Sequence, residues 1–186
     1  DLLVRGGGPS ENVFFIDGIE IPNINHFATQ GASGGPVSII NSDLIREISF
    51  YTGSFPANRG GALSSVMDIS LKDGNPDKQA FKAIVGASEA GVSASGHIGK
   101  KTTYVASVRQ SYLQLLFRLL GLPLLPNYID SQFKIKTRID SSNEIMFIGL
   151  AGFDNLKLNM DTEDKADMYL LGYLPKLKQE TFTVGT

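Results

Sequence analysis

The chain has 186 residues, long enough for one or two domains with a real core. Its 19% of charged residues lies below the roughly 25% of an average soluble domain, and a net charge of -2 argues against a nucleic-acid binder, which is expected to carry a basic stripe. Cys 0 excludes disulfides and thiolate metal sites, while Gly 20 suits tight turns and closely packed strands.

In chain order, Leu2 to Arg5 reads as a short strand ending at Gly6-Gly7-Gly8-Pro9. The lysine and Ser/Thr of a phosphate-binding loop are missing there, so nucleotide binding is not expected. With no signal peptide ahead of this strand pattern, a fragment is expected. Val13 to Ile16 is an apolar strand, Asp17-Gly18 a two-residue hairpin signal, and Ile19 to Ile21 the return. The polar stretch from Pro22 to Pro36 shows neither period and reads as an exposed loop. His26 is its one ionisable residue, and with His97 far away and no cysteine, no metal centre is expected. Asn41-Ser42-Asp43 is placed to cap a short helical turn. Leu44 to Gly74 then sets two β-prone runs, around Ile48-Phe50-Thr52 and Val66-Ile69-Leu71, either side of Gly53, Pro56, Gly60 and Gly61.

Asn75-Pro76-Asp77-Lys78 marks a boundary. Strands are expected over Phe81–Ser88, Val92–Ile98 and Thr102–Gln110, with Glu89-Ala90-Gly91 and Gly99-Lys100-Lys101 as turns. Tyr112 to Leu120 predicts a packed loop helix with Leu113, Leu116, Phe117 and Leu120 on its apolar face. The longest apolar run, Leu113 to Pro126, falls short of the 18 or so residues of a membrane helix. From Phe133 to Asp140 the alternation puts Phe133, Ile135 and Ile139 on one face and Lys134, Lys136 and Arg138 on the other. Glu144 to Phe153 returns, and Met168–Leu174 and Glu180–Val184 are further candidates. Such pairs suit both a membrane barrel and a soluble sheet with one wet face, and periodicity alone does not separate them. Long connections at Ser111–Asn127 and Asp154–Lys165 alternate in part with short ones, as in outer-membrane barrels. The acidic run Asp161–Asp167 lacks calcium-loop spacing and reads as a solvated loop.

Val4-Arg5-Gly6-Gly7, then Phe15-Ile16-Asp17-Gly18-Ile19-Glu20-Ile21-Pro22, then Glu47-Ile48, Gly53, Pro56, Arg59-Gly60-Gly61 and Val66-Met67-Asp68-Ile69 stand in order at suitable spacing. Together they resemble the plug domain of TonB-dependent outer-membrane receptors. The resemblance implies an α+β plug, a small mixed sheet with short helices, over residues 1–76, truncated at its start. Residues 77–186 are then the first antiparallel strands of a partial outer-membrane β-barrel, truncated at its end. It implies energy-coupled nutrient uptake at the bacterial outer membrane, with no enzyme activity and no cofactor. Partners implied are the TonB energising complex, whose contact segment is absent here, a small ligand such as an iron chelate, cobalamin or oligosaccharide, and a surface lipoprotein. Ligand contacts are expected on the outward plug loops, at Gly8, Pro9, Ser10, Glu11 and Asn12 and at Asn23, Asn25, His26 and Phe27. Arg5 matches a family arginine that pairs with barrel glutamates lying beyond residue 186; Thr52 stands where a second arginine is usual, and Arg59 is expected to supply that plug–barrel charge instead. The rival class is a soluble secreted or periplasmic β-rich binding or adhesion module.

Overall fold

The computed structural model describes residues 1–28, 34–159 and 176–186. After a 3-10 turn at Pro9–Glu11, β1 (Asn12–Ile16) and β2 (Ile19–Ile21) form the expected hairpin. Asp17 and Gly18 have φ of 47° and 87°, the two positive values that a type I′ turn requires, which is why Asp-Gly stands there. A small ribbon of β3 (Asn25–His26) and β4 (Val37–Ser38) follows. The Asn41 side chain accepts the Asp43 N–H at 3.0 Å and so caps a 3-10 turn over Ser42–Leu44, which leads into β5 (Ile45–Tyr51). β6 (Ser65–Leu71) completes a four-stranded sheet of order β2-β1-β6-β5, in which β1 and β6 run parallel. Helix in this unit is limited to the two 3-10 turns among its described residues, and Leu2–Arg5 is not a strand, although Val4 is buried.

The second sheet is a six-stranded antiparallel meander of β7 (Ala80–Val85), β8 (Glu89–Ile98), β9 (Thr102–Ser111), β10 (Leu124–Arg138), β11 (Glu144–Leu158) and β12 (Leu177–Gly185). Strands β8 to β12 are longer than their sequence signals, whereas β7 ends at Val85, short of the expected Ser88. Glu89-Ala90-Gly91 opens β8 instead of turning, because Glu89 pairs with Ser111 and Ala90 with Gln110, and the turn falls one step earlier. β10 starts at Leu124, inside the expected long connection. Pro126 is tolerated there because that end of β10 pairs only with β11, the β9 ladder beginning at Ile129. β11 likewise continues through Asp154 to Leu158. The helix α1 (Leu113–Leu119) forms as expected but packs loosely: Leu113, Leu116 and Phe117 are half-buried and Leu120 is exposed. The acidic run Asp161–Asp167 and the Met168–Leu174 candidate lie outside the described residues.

Register divides the meander into two unlike faces. Phe81, Val92, Val108, Ile129, Phe133, Phe147, Phe153, Phe182 and Val184 lie on one face, in register across all six strands, and every one is exposed. Phe133 covers Gly149 directly, and Phe153 meets Phe182 edge-on at 5.2 Å. The opposite face carries Ser107, Arg109, Asp130, Gln132, Lys134, Asp154 and Thr181, all buried. This is the inverse of a soluble sheet, which hides its apolar side. What covers the polar face is the four-stranded unit: Phe14, Ile16, Ile39, Ile40, Leu44, Ile69 and Leu71 share one core with Val105, Ile148 and Leu150 of the meander. Between the two sheets the chain passes at Gly74, where a Cβ would run into the backbone carbonyls of Gly96 and Tyr104.

Candidate functional site

The polar residues that the two units bury against each other form two charged clusters. In the first, β3 carries His26 into the meander with no exposed surface. Its Nε2 lies 3.0 Å from Asp130 on β10 and its Nδ1 lies 2.5 Å from Asp154 on β11, while the ring stacks on Tyr128 at 4.2 Å. Each carboxylate is also occupied from elsewhere. Asp154 accepts the Phe27 N–H at 2.8 Å, and Asp130 accepts Arg109 Nε at 3.0 Å. Carboxylates that already accept other donors face both ring nitrogens, an arrangement that favours donation from both and hence the imidazolium form. Burial alone pushes the His26 pKa down, but the hydrogen bonds and charges of Asp130 and Asp154 outweigh it and hold the pKa above its ordinary value.

Arg109 extends this cluster. Its guanidinium donates to the carbonyls of Ser38 and Ile39 at 2.7 and 2.9 Å, and it pairs with Glu89 at 3.4 Å. Glu89 in turn accepts the Tyr128 hydroxyl at 2.5 Å. Strands β8, β9, β10 and β11 therefore all converge on the short β3–β4 ribbon.

The second cluster lies at the other end of the four-stranded unit. Lys134 of β10 is buried, reaches Asp73 at 2.7 Å and Asp17 at 3.3 Å, and donates to the Leu71 carbonyl at 3.2 Å. Lys136 joins Asp73 at 3.3 Å and Glu144 at 3.0 Å. Asp73 is partly desolvated, which by itself raises its pKa, yet Lys134 and Lys136 together hold it below the usual carboxylate value. Two clasps, one at each end of the interface, thus join opposite charges, screened from water around His26 and at Lys134 and Asp17, and partly exposed at Asp73, Lys136 and Glu144.

No family model and no curated protein matches the chain. Its fold does match solved structures. One is the siderophore receptor PirA from Acinetobacter baumannii, with a TM-score of 0.60 at 13% identity over 92% of this chain and 29% of that one. Another is the ferric enterobactin receptor PfeA in complex with BCV-L6, with a TM-score of 0.52 at 15% identity over 97% of this chain and 31% of that one. The chain has the fold of a TonB-dependent receptor segment. It spans less than a third of the length of either receptor.

Within this fold the residues expected to act are distributed as follows. Arg5 has φ of 52°, and its guanidinium lies along Gly53 and donates to the Thr52 carbonyl at 2.8 Å. Arg59 donates through Nε and Nη2 to Asp68 at 2.8 and 2.6 Å and covers the Phe15 ring at 4.7 Å. Both arginines are thus held inside the four-stranded unit. In the first loop, Asn12 is buried and donates to the Leu2 and Pro9 carbonyls, Glu11 accepts the Ser64 hydroxyl at 2.6 Å, Gly8 and Pro9 are half-buried, and Ser10 is exposed. In the second, the exposed-loop reading is corrected: Asn23 is buried, bonded to the Asn25 backbone, and His26 is fully buried, whereas Asn25 and Phe27 keep some surface. Sequence reasoning missed Asp130, Asp154 and Arg109 because their partners around the β3–β4 ribbon are distant in the chain: His26 lies 104 and 128 positions from the two acids, and the Ser38 and Ile39 carbonyls lie 71 and 70 from Arg109. The available signal was the run Asp130, Gln132, Lys134, Lys136 and Arg138 at every second position of β10, on the side opposite Phe133.

Proposed function

We propose that the chain is part of an outer-membrane receptor in which the four-stranded unit is the plug and the meander is the first part of the barrel wall, and that the receptor takes up an iron chelate by TonB-coupled transport. The observation that carries the reading is the inverted burial of the meander. A face bearing exposed Phe81, Phe133, Phe147, Phe153, Phe182 and Val184 is stable against lipid and costly against water. On β11 the apolar row runs from Ile145 to Phe153, eight residue-to-residue steps or roughly 26 Å along the strand. Tilted by about 40°, that row spans on the order of 20 Å, close to the apolar band of about 25 Å on such barrels. A soluble adhesion module would bury these side chains, so the same observation disfavours that rival.

Iron chelates are favoured among the possible nutrients because the two similar solved structures are named as siderophore and ferric enterobactin receptors. Ligand contacts are assigned to the loop residues with accessible surface, Gly8, Pro9, Ser10, Glu11, Asn25 and Phe27, and no covalent chemistry is assigned to the chain. The plug is held by the two clasps, with Arg5 added in the whole receptor through carboxylates outside this chain. The test uses the full-length receptor in its own cell: the protein should fractionate with the outer membrane, and uptake of a ferric siderophore should vanish when TonB is removed. Recovery in the soluble periplasm, or uptake that ignores TonB, would overturn the reading.

A further inference from the structure

The clasp at His26 has a property that ordinary arginine–carboxylate contacts lack, because its cation exists only while a proton is bound. Five ionisable groups face the ring or each other there: Asp130 and Tyr128 on β10, Asp154 on β11, Arg109 on β9 and Glu89 on β8. With His26 protonated, two cations face three carboxylates, all in a place where His26, Asp130 and Asp154 have almost no exposed surface. Remove the proton and Arg109 stands alone against three. Asp154 then loses its only ion-pair partner among the described residues, and one ring nitrogen turns a lone pair toward a carboxylate oxygen 3.0 Å or less away.

We propose that His26 is a proton-binding site whose occupancy closes the contact between plug and wall, so that withdrawal of the Asn25–Ala28 segment from the wall releases a proton. This rests on the plug-and-wall reading and adds to it a linkage between opening and pH. The sign follows from the docked ring holding its proton more tightly than a solvated imidazole. Docking is strongest below the ordinary histidine value and weakens as pH rises through the higher, docked value. Between those two values each opening sheds close to one proton, and the opening equilibrium grows about tenfold per pH unit. An arginine at this position would lock the segment at all physiological pH, whereas histidine allows neutral water to help release it.

The experiment uses the full-length receptor in lipid nanodiscs. Hydrogen exchange of the Phe27 amide, which donates to Asp154, is followed from pH 6 to pH 9 after division by the intrinsic exchange rate. The wild type should lose protection with rising pH, approaching tenfold per unit, while His26→Gln, which fills the same space without titrating, should be flat and already weakly protected at pH 6. Ring nitrogen NMR of the wild type needs no variant and should find both nitrogens protonated at pH 7. A flat wild-type profile, a His26→Gln profile that keeps the wild-type slope, or a singly protonated ring at pH 7 would overturn the proposal. Outer-membrane fractionation and TonB dependence do not depend on this titration, so the linkage and the functional reading can fail separately.

Discussion

Replacing Lys134 by methionine keeps the length of the side chain and removes the one cation common to Asp17 and Asp73. The two acids respond differently. Asp73 retains Lys136 and about a third of its surface, so its share of the loss is under about 1 kcal/mol. The Asp17 carboxylate is only 9% exposed, and its Oδ2 has the Lys134 charge at 3.3 Å but no hydrogen-bond partner. Leaving that carboxylate buried and unpaired costs on the order of 3 to 5 kcal/mol, and the Leu71 carbonyl loses a donor worth about 1 kcal/mol more. Lys134→Met should therefore destabilise the four-stranded unit by about 3 kcal/mol or more, read from urea titration in micelles with limited proteolysis between β6 and β7 as the probe. Adding Asp17→Asn removes the stranded charge and should recover about 2 kcal/mol, a coupling that distant sites do not show. A single variant within about 0.5 kcal/mol of wild type, or a double variant that is simply additive, would refute the buried clasp.

Gly74→Ala should cost about 2 to 4 kcal/mol in the same titration, since the methyl meets two backbone carbonyls that belong to different strands and cannot rotate away. Phe133→Arg, in the middle of the outward face, should lower refolding stability in bilayers by about 2 to 4 kcal/mol, whereas Thr137→Arg near the end of the strand should cost less than half of that. Acid should loosen the Lys134 clasp: Asp73 is held below its ordinary value, so its contribution is complete at neutral pH and fades only as pH falls through that lowered value, giving a protease-sensitive plug in strong acid and full resistance at pH 6.

Local chemistry was legible in the sequence. Asp17-Gly18 declares its turn, Asn41 its cap, and the alternation from Phe133 to Arg138 places Lys134 and Lys136 on the face opposite Phe133 and Ile135, as found. What periodicity could not supply is which face meets water, because lipid and a polar lumen together reverse the usual assignment. His26 was misread for a related reason. A histidine among small polar residues has the composition of a loop, and its burial is caused by carboxylates 104 and 128 positions away. Strand ends were underestimated at Glu89 and Leu124, where a partner strand extends pairing into residues whose own preference is for turns.

The orientation of the meander is the claim on which the account depends most, and the absence of cysteine makes it directly measurable, since every introduced thiol is the only one in this chain. Single cysteines at Phe133, Phe147 and Phe153 on the outward face and at Gln132, Ile148 and Thr181 on the inward face, each spin-labelled in the full-length receptor in bilayers, report access to oxygen and to a water-soluble nickel chelate. The account predicts high oxygen and low nickel access at the first three positions and little access to either at the inward three, which face the plug. Ready nickel access at Phe133, Phe147 and Phe153 would mean that this face meets water, and the barrel-wall assignment would be wrong.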